Sequence, residues 1–154
     1  MGQSQSISAE IEIQASPATV RSVFLDFSRY NQWSQWAVEP TDSGKSPSEL
    51  KAGDRVKADL KSMKFQPVVV ENTADKFQWE GKLPLIFVGN HEFHFAPSTK
   101  HPGGTTFIQL EIFTGLLAFI MGPGWSMRES SLANWHRFNA DLKKEVEKSS
   151  HASS

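Results

Sequence analysis

Two segments that alternate apolar and polar residues carry a histidine and a glutamate among phenylalanines. Because side chains alternate between the two faces of a strand, His91 shares a face with Phe93 and Phe95. The matching face of the second segment carries two rings and two polar groups, at Phe107, Gln109, Glu111 and Phe113. The residues between the two segments, 97–104, are rich in Pro, Ser and Gly and predict a hairpin loop.

A hairpin register centred near residue 101 pairs the two titratable residues across the strands. It sets His91 opposite Glu111 and Phe93 opposite Gln109, and a slip of one residue would turn every side chain to the other face. An imidazole oriented by a carboxylate can act as a general acid or base near neutral pH. Such a pair can remove a proton beside a carbonyl before water is lost. The alternative interpretation is a cross-strand pair that satisfies itself and closes the wall of the sheet.

Three further residues offer a ligand either a ring or a hydrogen bond. Trp79 shares a strand face with Phe77 and Gly81, so its ring either forms a flat wall beside a gap or packs in the core. Gln109 is a hydrogen-bond partner for a ligand oxygen or an ordinary polar lining residue. Asn134 offers a donor and an acceptor if it points inward, and otherwise occupies the flank of a helix.

Aromatic residues on the helices complete the predicted site. Trp33 and Trp36 either gate the mouth of a cavity or staple a short helix to the sheet, while Trp135 and Phe138 face the cavity or the core. The predicted ligand-binding residues are therefore Trp33, Trp36, Trp79, Phe93, Phe107, Gln109, Phe113, Asn134, Trp135 and Phe138, with His91 and Glu111 as the catalytic pair.

The elements that must position these residues follow from periodicity. Alternation predicts strands at residues 7–15, 55–60, 66–72, 76–82, 89–96 and 105–113. Ser16 and Pro17 are a helix cap and a first helical residue, a second short helix is predicted within 28–36, and a long amphipathic helix runs from Ser126 to about Lys148. This order predicts the α+β class: a curved antiparallel sheet of about six to seven strands around a long C-terminal helix, with an internal hydrophobic cavity.

Length and composition limit the classes of function that the protein can have. The 154 residues predict a flexible N-terminus at 1–6, one domain at 7–148 and a disordered tail at 149–154. A net charge of −1 without a basic cluster argues against nucleic-acid binding. The absence of cysteine excludes disulfides and thiolate chemistry, and no histidine has further ligands at metal-binding spacing, so neither a metal nor a cofactor is expected. A monomer and a homodimer are both compatible with this surface.

Two features concern membranes. No segment has the length of a membrane span and no secretory signal is present, so we expect a soluble, cytoplasmic protein without stable membrane insertion. Gly2 with Ser6 matches the N-myristoylation pattern, although a floppy end can match by chance. The apolar residues 116–121 predict a buried crossover into the last helix, with a mobile lid or a lipid-touching patch as alternatives.

Several stretches together resemble a known superfamily. Residues 11–33 are similar to the first strand, the helix beginning at Ser-Pro and the Tyr-x-x-Trp segment of the START-like, helix-grip superfamily, also called SRPBCC. Residues 79–98 and 103–121 resemble its central and late strands, and residues 138–147 resemble the end of its C-terminal helix. The likeness spans residues 7–148 and is greatest to the polyketide cyclase/dehydrase-like subgroup; the superfamily also includes birch-pollen-allergen-like proteins.

This resemblance implies a cavity that binds hydrophobic molecules, and fold alone does not decide whether catalysis follows. The leading hypothesis is binding of an aromatic, polyketide-like or lipid molecule, with cofactor-free cyclisation or dehydration at His91 and Glu111 as an extension. A non-catalytic carrier or sensor of lipid or isoprenoid is the second hypothesis. The third is a partner-binding module whose cavity is filled by its own side chains.

Overall fold

A computed structural model describes residues 4–83 and 87–152. The elements follow in chain order as β1 (Gln5–Ile13), α1 (Pro17–Leu25), α2 (Tyr30–Trp33), β2 (Ala37–Pro40), β3 (Val56–Asp59), β4 (Lys64–Phe65), β5 (Val68–Asn72), β6 (Lys76–Leu83), β7 (Phe87–Pro97), β8 (Thr105–Thr114) and α3 (Ser126–Ala152). Short 3-10 helices occupy Phe27–Arg29, Pro47–Glu49 and Ala118–Met121. None of the helices in the described ranges is long and apolar enough to cross a membrane.

The strands form two antiparallel sheets. The larger sheet has the order β1-β8-β7-β6-β5, and the smaller has the order β2-β3-β4. The sequence predicted one sheet of six to seven strands, whereas β3, the strand predicted at 55–60, pairs with β2 and β4, which are four and two residues long. Strands this short contain too few residues for alternation to be recognised. The α+β class with a long C-terminal helix is confirmed.

The central hairpin has the predicted register. His91 pairs with Glu111, Phe93 with Gln109 and Phe95 with Phe107. β6 lies on the other side of β7 and brings Trp79 beside His91. Trp79, His91 and Glu111 therefore form a row across three neighbouring strands, on the face that the helices cover.

Two helices cover that face. Ser16 caps α1 by accepting a hydrogen bond from the Thr19 amide at 3.2 Å, and Phe24 of α1 contacts rings from three strands. α3 buries Trp135, Phe138, Leu142 and Val146, which recur at the three- and four-residue spacing of one helix face. Met127, in the first turn of α3, is exposed and does not belong to this buried stripe.

The chain ends differ from the predicted boundaries. β1 begins at Gln5, because the backbone of residues 5 and 6 still pairs with β8 although the side chains there are polar. α3 continues to Ala152, so residues 149–152 of the predicted disordered tail are helical. Neither Gly nor Pro stands after Lys148 to stop the helix. Gly2, with the rest of residues 1–3, and the final residues 153–154 lie outside the described residues.

Candidate functional site

A chain of four polar side chains crosses the apolar interior. The Nε2 of His91 lies 2.8 Å from Oε1 of Gln109, and Gln109 donates from Nε2 to Oδ1 of Asn139 at 2.8 Å. At the other end, Nδ1 of His91 lies 3.5 Å from Oε1 of Glu111. β7 supplies the histidine, β8 supplies Gln109 and Glu111, and α3 supplies Asn139. We call this set the polar chain.

The direction of the hydrogen bonds fixes the state of the imidazole. Because the Gln109 amide nitrogen donates to Asn139, its carbonyl oxygen is the atom that faces His91. The Nε2 of His91 therefore carries the hydrogen, and Nδ1 presents a lone pair toward Glu111. A protonated Glu111 carboxyl would donate toward this lone pair.

Burial moves the two pKa values in opposite directions. Desolvation lowers the pKa of His91 to about 3, against a smaller raising effect from the Gln109 hydrogen bond. Desolvation raises the pKa of Glu111 to about 8. Near neutral pH the pair is therefore a neutral imidazole beside a mostly protonated carboxyl. The sequence interpretation made the imidazole the acid or base and the carboxylate its orienting group, whereas here Gln109 is the nearer partner and Glu111 titrates close to neutrality.

Solvent reaches only one end of the polar chain. The Glu111 side chain is 17% exposed and that of His91 is 2% exposed. Gly89 of β7 lies directly beside the Glu111 side chain of β8, and a Cβ atom at this glycine would overlap the carboxylate oxygen Oε2. Phe113, stacked on Phe87 with ring centroids 5.3 Å apart, flanks the same end. A ligand would reach the polar chain from the Glu111 end.

Two buried donors in this region have no acceptor. Trp79 Nε1 and Asn139 Nδ2 make no hydrogen bond to any part of the chain that the structure describes. A buried donor without a partner is costly, and each such group in a native protein calls for an explanation. Both residues border His91 or its partner Gln109.

Aromatic side chains fill the space between the larger sheet and α3. His91 stacks on Phe93 at 4.1 Å and is covered by Trp135 at 4.5 Å. Phe107 and Phe113 are also buried. The gap predicted beside Gly81 is occupied, because the Phe65 ring lies against this glycine and meets Trp79 edge to face. The predicted site residues thus come together as packed groups.

The two tryptophans of the α2 region pack mainly on Phe138 of α3. Trp36 stacks on Phe138 at 3.9 Å and donates from Nε1 to Oδ1 of Asn134 at 2.7 Å. Asn134 in turn donates from Nδ2 to the Leu60 carbonyl at 2.8 Å. Trp33 packs on Phe138 at 5.5 Å. These contacts correspond to the stapling alternative, and they leave Asn134 with partners at both its oxygen and its nitrogen.

An open groove of about 830 Å³ lies elsewhere, between the turn after α1 and the smaller sheet. Its rim carries the side chains of Lys57 and Glu39, an exposed ion pair at 3.9 Å. This position differs from the predicted cavity between sheet and α3. Solvated ion pairs of this kind are common on protein surfaces and contribute little to the stability of the fold.

Sequence reasoning missed Asn139 and Phe65. Asn139 follows Trp135 by four residues, so the two share a helix face, and this spacing is the signal that identifies it. Phe65 stands in a two-residue strand, and no local pattern indicates that its ring covers Gly81.

Two antiparallel sheets and a long C-terminal helix that covers the larger one make this an α+β protein with the helix-grip fold that the sequence resemblance implied. The family described as "Polyketide cyclase / dehydrase and lipid transport" matches residues 4–147, and the chain belongs to this family. No curated protein sequence matches the chain.

Solved structures have the same fold. A hypothetical protein from Helicobacter pylori superposes with a TM-score of 0.72 and 13% identity, covering 92% of this chain and 88% of that one. Norcoclaurine synthase from Thalictrum flavum, in complex with dopamine and hydroxybenzaldehyde, superposes with a TM-score of 0.67 and 10% identity, covering 96% of this chain and 88% of that one. A START superfamily protein from Mycobacterium smegmatis superposes with a TM-score of 0.60 and 17% identity, covering 93% of this chain and 97% of that one. At these identities the likeness establishes the fold alone.

Proposed function

We propose that the protein binds an apolar small molecule carrying an oxygen function, at the polar chain between the larger sheet and α3. The observation that carries this proposal is the pair of unsatisfied donors, Trp79 Nε1 and Asn139 Nδ2, within an otherwise apolar interior. A carbonyl, hydroxyl or carboxyl oxygen would accept the hydrogen bonds that these donors lack, and apolar rings would contact the remainder of the ligand. Family membership, whose description includes lipid transport, supports the same ligand class.

Binding requires the interior to open. Phe93, Trp135 and the His91 ring now occupy the space that a ligand would take. The ligand must therefore displace rings near the Glu111 end, and the cost of this rearrangement lowers its affinity. This cost favours ligands large enough to replace the lost aromatic contacts.

Catalysis is a second candidate, favoured by the raised pKa of Glu111, to about 8. In its ionised form Glu111 would take a proton from the carbon beside a ligand carbonyl. The same carboxyl would then return this proton to a departing hydroxyl, so that a carbon–carbon double bond forms and water leaves. His91 would act as a positioning residue, because its lowered pKa makes it a weak base.

The experiment compares oxygen-bearing ligands with a hydrocarbon of similar size. Farnesol, naringenin and oleate should raise the melting temperature of the protein, and farnesene, which has the carbon skeleton of farnesol with a further double bond in place of the hydroxyl, should raise it much less. At a hundred times its dissociation constant a ligand adds about 2.7 kcal/mol of stability. If no compound stabilises the protein, the interior is closed and the partner-binding alternative stands.

The variant Glu111→Gln separates a carrier from a catalyst. A carrier retains stabilisation by the same ligands and needs no ionisable group at residue 111. A catalyst also retains binding but loses conversion of a hydroxy-ketone substrate that the wild-type protein dehydrates.

A further inference from the structure

The segment between β8 and α3 presents a cluster of apolar side chains to solvent. Five large apolar residues there are between 38% and 62% exposed: Leu116, Leu117, Phe119, Trp125 and Met127. We call this cluster the tip surface. Elsewhere in the described ranges the exposed large apolar residues are Met63, Val70 and Ile112, of which only Ile112 lies on a strand adjoining the tip surface. The predicted buried crossover is thus buried on one side only.

The fold holds these side chains outward. Ala118 and Met121 are buried and anchor the intervening 3-10 helix, while Phe119 lies on its outer side. The rings of Phe119 and Trp125 meet edge to face with centroids 5.5 Å apart. Gly124 has φ +87°, a backbone conformation that side chains disfavour, and this turn returns the chain toward α3. The tip surface is therefore a preformed platform.

The charges around the tip surface suit lipid headgroups. Residues 115–127 contain no charged side chain, so nothing charged would have to enter the apolar region. The next residue, Arg128, donates from Nη1 to the backbone carbonyls of Ser6 and Met121, at 3.2 and 3.0 Å. Glu129 follows it as an exposed carboxylate, so this edge of the platform carries one cation and one anion. No ion pair holds Arg128 in the described ranges, so its guanidinium can face a lipid phosphate while Glu129 stays in water. Trp and Phe beside a basic residue are typical of side chains at a membrane interface.

The tip surface also follows directly on the strand that carries the solvent-reached end of the polar chain. Glu111 and Phe113 lie near the C-terminal end of β8, four and two residues before the segment begins at Gly115. The Gln5 side chain lies beside Gly122, so β1 begins at this end of the molecule.

We propose that the tip surface docks onto a lipid bilayer, with Phe119 and Trp125 in the interfacial region and Arg128 among the phosphates. Docking in this orientation turns the Glu111 end toward the membrane. An apolar ligand could then pass between the bilayer and the interior without crossing water, a consequence that rests on the proposed ligand binding. The docking itself requires only the platform.

Vesicle flotation of the full, unacylated chain tests the proposal. The protein should float with phosphatidylcholine vesicles, and phosphatidylserine should change binding by less than a few-fold, because the charge of Arg128 is offset by the neighbouring Glu129. The double variant Phe119→Ser/Trp125→Ser should lower partitioning by about ten-fold or more, since both rings leave the apolar phase. The matched control, Met63→Ser/Val70→Ser, removes two exposed apolar side chains elsewhere and should float like the wild type.

Fluorescence identifies the contact directly. Brominated lipid should quench the emission of wild-type protein, and this quenching should largely disappear in Trp125→Phe. Absence of flotation, or equal flotation of both double variants, overturns the proposal. So does a concentration-dependent dimer that Phe119→Ser/Trp125→Ser abolishes, because the platform then binds a second copy. Stabilisation by farnesol is measured on the same variants, and its retention shows that failure of docking is separate from failure of ligand binding.

Discussion

His91 and Glu111 are neighbours whose burial has opposite consequences for their charge. The pairing itself could be predicted from sequence, because alternation fixes the face and the loop fixes the register. The protonation states could not, because they depend on burial and on Gln109 and Asn139. Asn139 comes from a helix about thirty residues further along the chain.

The pH dependence of stability should report the Glu111 carboxyl. Its pKa is raised from 4.5 to about 8, so the folded state keeps a proton that the unfolded chain releases. The stabilisation that this proton gives the folded state is fully present below about pH 4.5 and is lost as pH rises through 8. We expect the stability of Glu111→Gln, relative to wild type, to increase from pH 5 to pH 9, with a slope of at most about 1.4 kcal/mol per pH unit.

His91 has the opposite linkage and is present in both proteins. Its pKa is lowered from 6.5 to about 3, so its contribution is complete above pH 6.5 and is lost as pH falls toward 3. Below pH 4.5 the two proteins should therefore lose stability in parallel. Urea denaturation at several pH values measures both effects, and a pH-independent difference between the proteins would show that Glu111 is not shifted.

At the scale of elements, long patterns were predictable and short ones were not. β7, β8 and α3 contain enough residues for alternation or helical spacing to identify them. β2 and β4 do not, and their separation into a second sheet depends on contacts between distant segments. The sequence could not predict that side chains fill the interior either, because this depends on how closely α3 lies against the sheet. The ring of Phe65 over Gly81 shows how one unassigned residue occupies a predicted gap.

Gly89 tests how β7 accommodates the Glu111 carboxyl. In Gly89→Ala the new methyl group overlaps the carboxylate oxygen Oε2, so the carboxyl must leave its present buried position. We expect a loss of about 1 kcal/mol in the free energy of unfolding, as for other overpacked sites, with a flatter pH dependence. In the Glu111→Ala background the same change should cost less, since no carboxylate remains to be displaced. Equal cost in both backgrounds, measured by urea denaturation, would indicate that strand geometry alone requires the glycine.

At the scale of the whole molecule, the polar chain reaches solvent near the end of β8 that leads into the tip surface. Most of the sheet face is closed by rings, and the polar chain reaches solvent only near Glu111. Under the proposed function, a ligand that enters there would gain a hydrogen bond from Trp79 beside His91, and one long enough to reach the far end of the polar chain would gain a second from Asn139. This gain must exceed the cost of moving His91 and Trp135, so binding should be selective for oxygen-bearing ligands.

The most direct test of ligand binding at the polar chain is to measure the affinity for farnesol of two variants that each replace a tryptophan by phenylalanine. Trp79→Phe removes a buried donor without a partner, and Trp36→Phe removes a donor that bonds Asn134. The account predicts that Trp79→Phe binds farnesol about ten-fold or more weakly, since a lost hydrogen bond to a ligand costs on the order of 1.5 kcal/mol. Trp36→Phe should lose stability while keeping its affinity. Equal affinities in Trp79→Phe and wild type would contradict the assignment of the unsatisfied donors to a ligand.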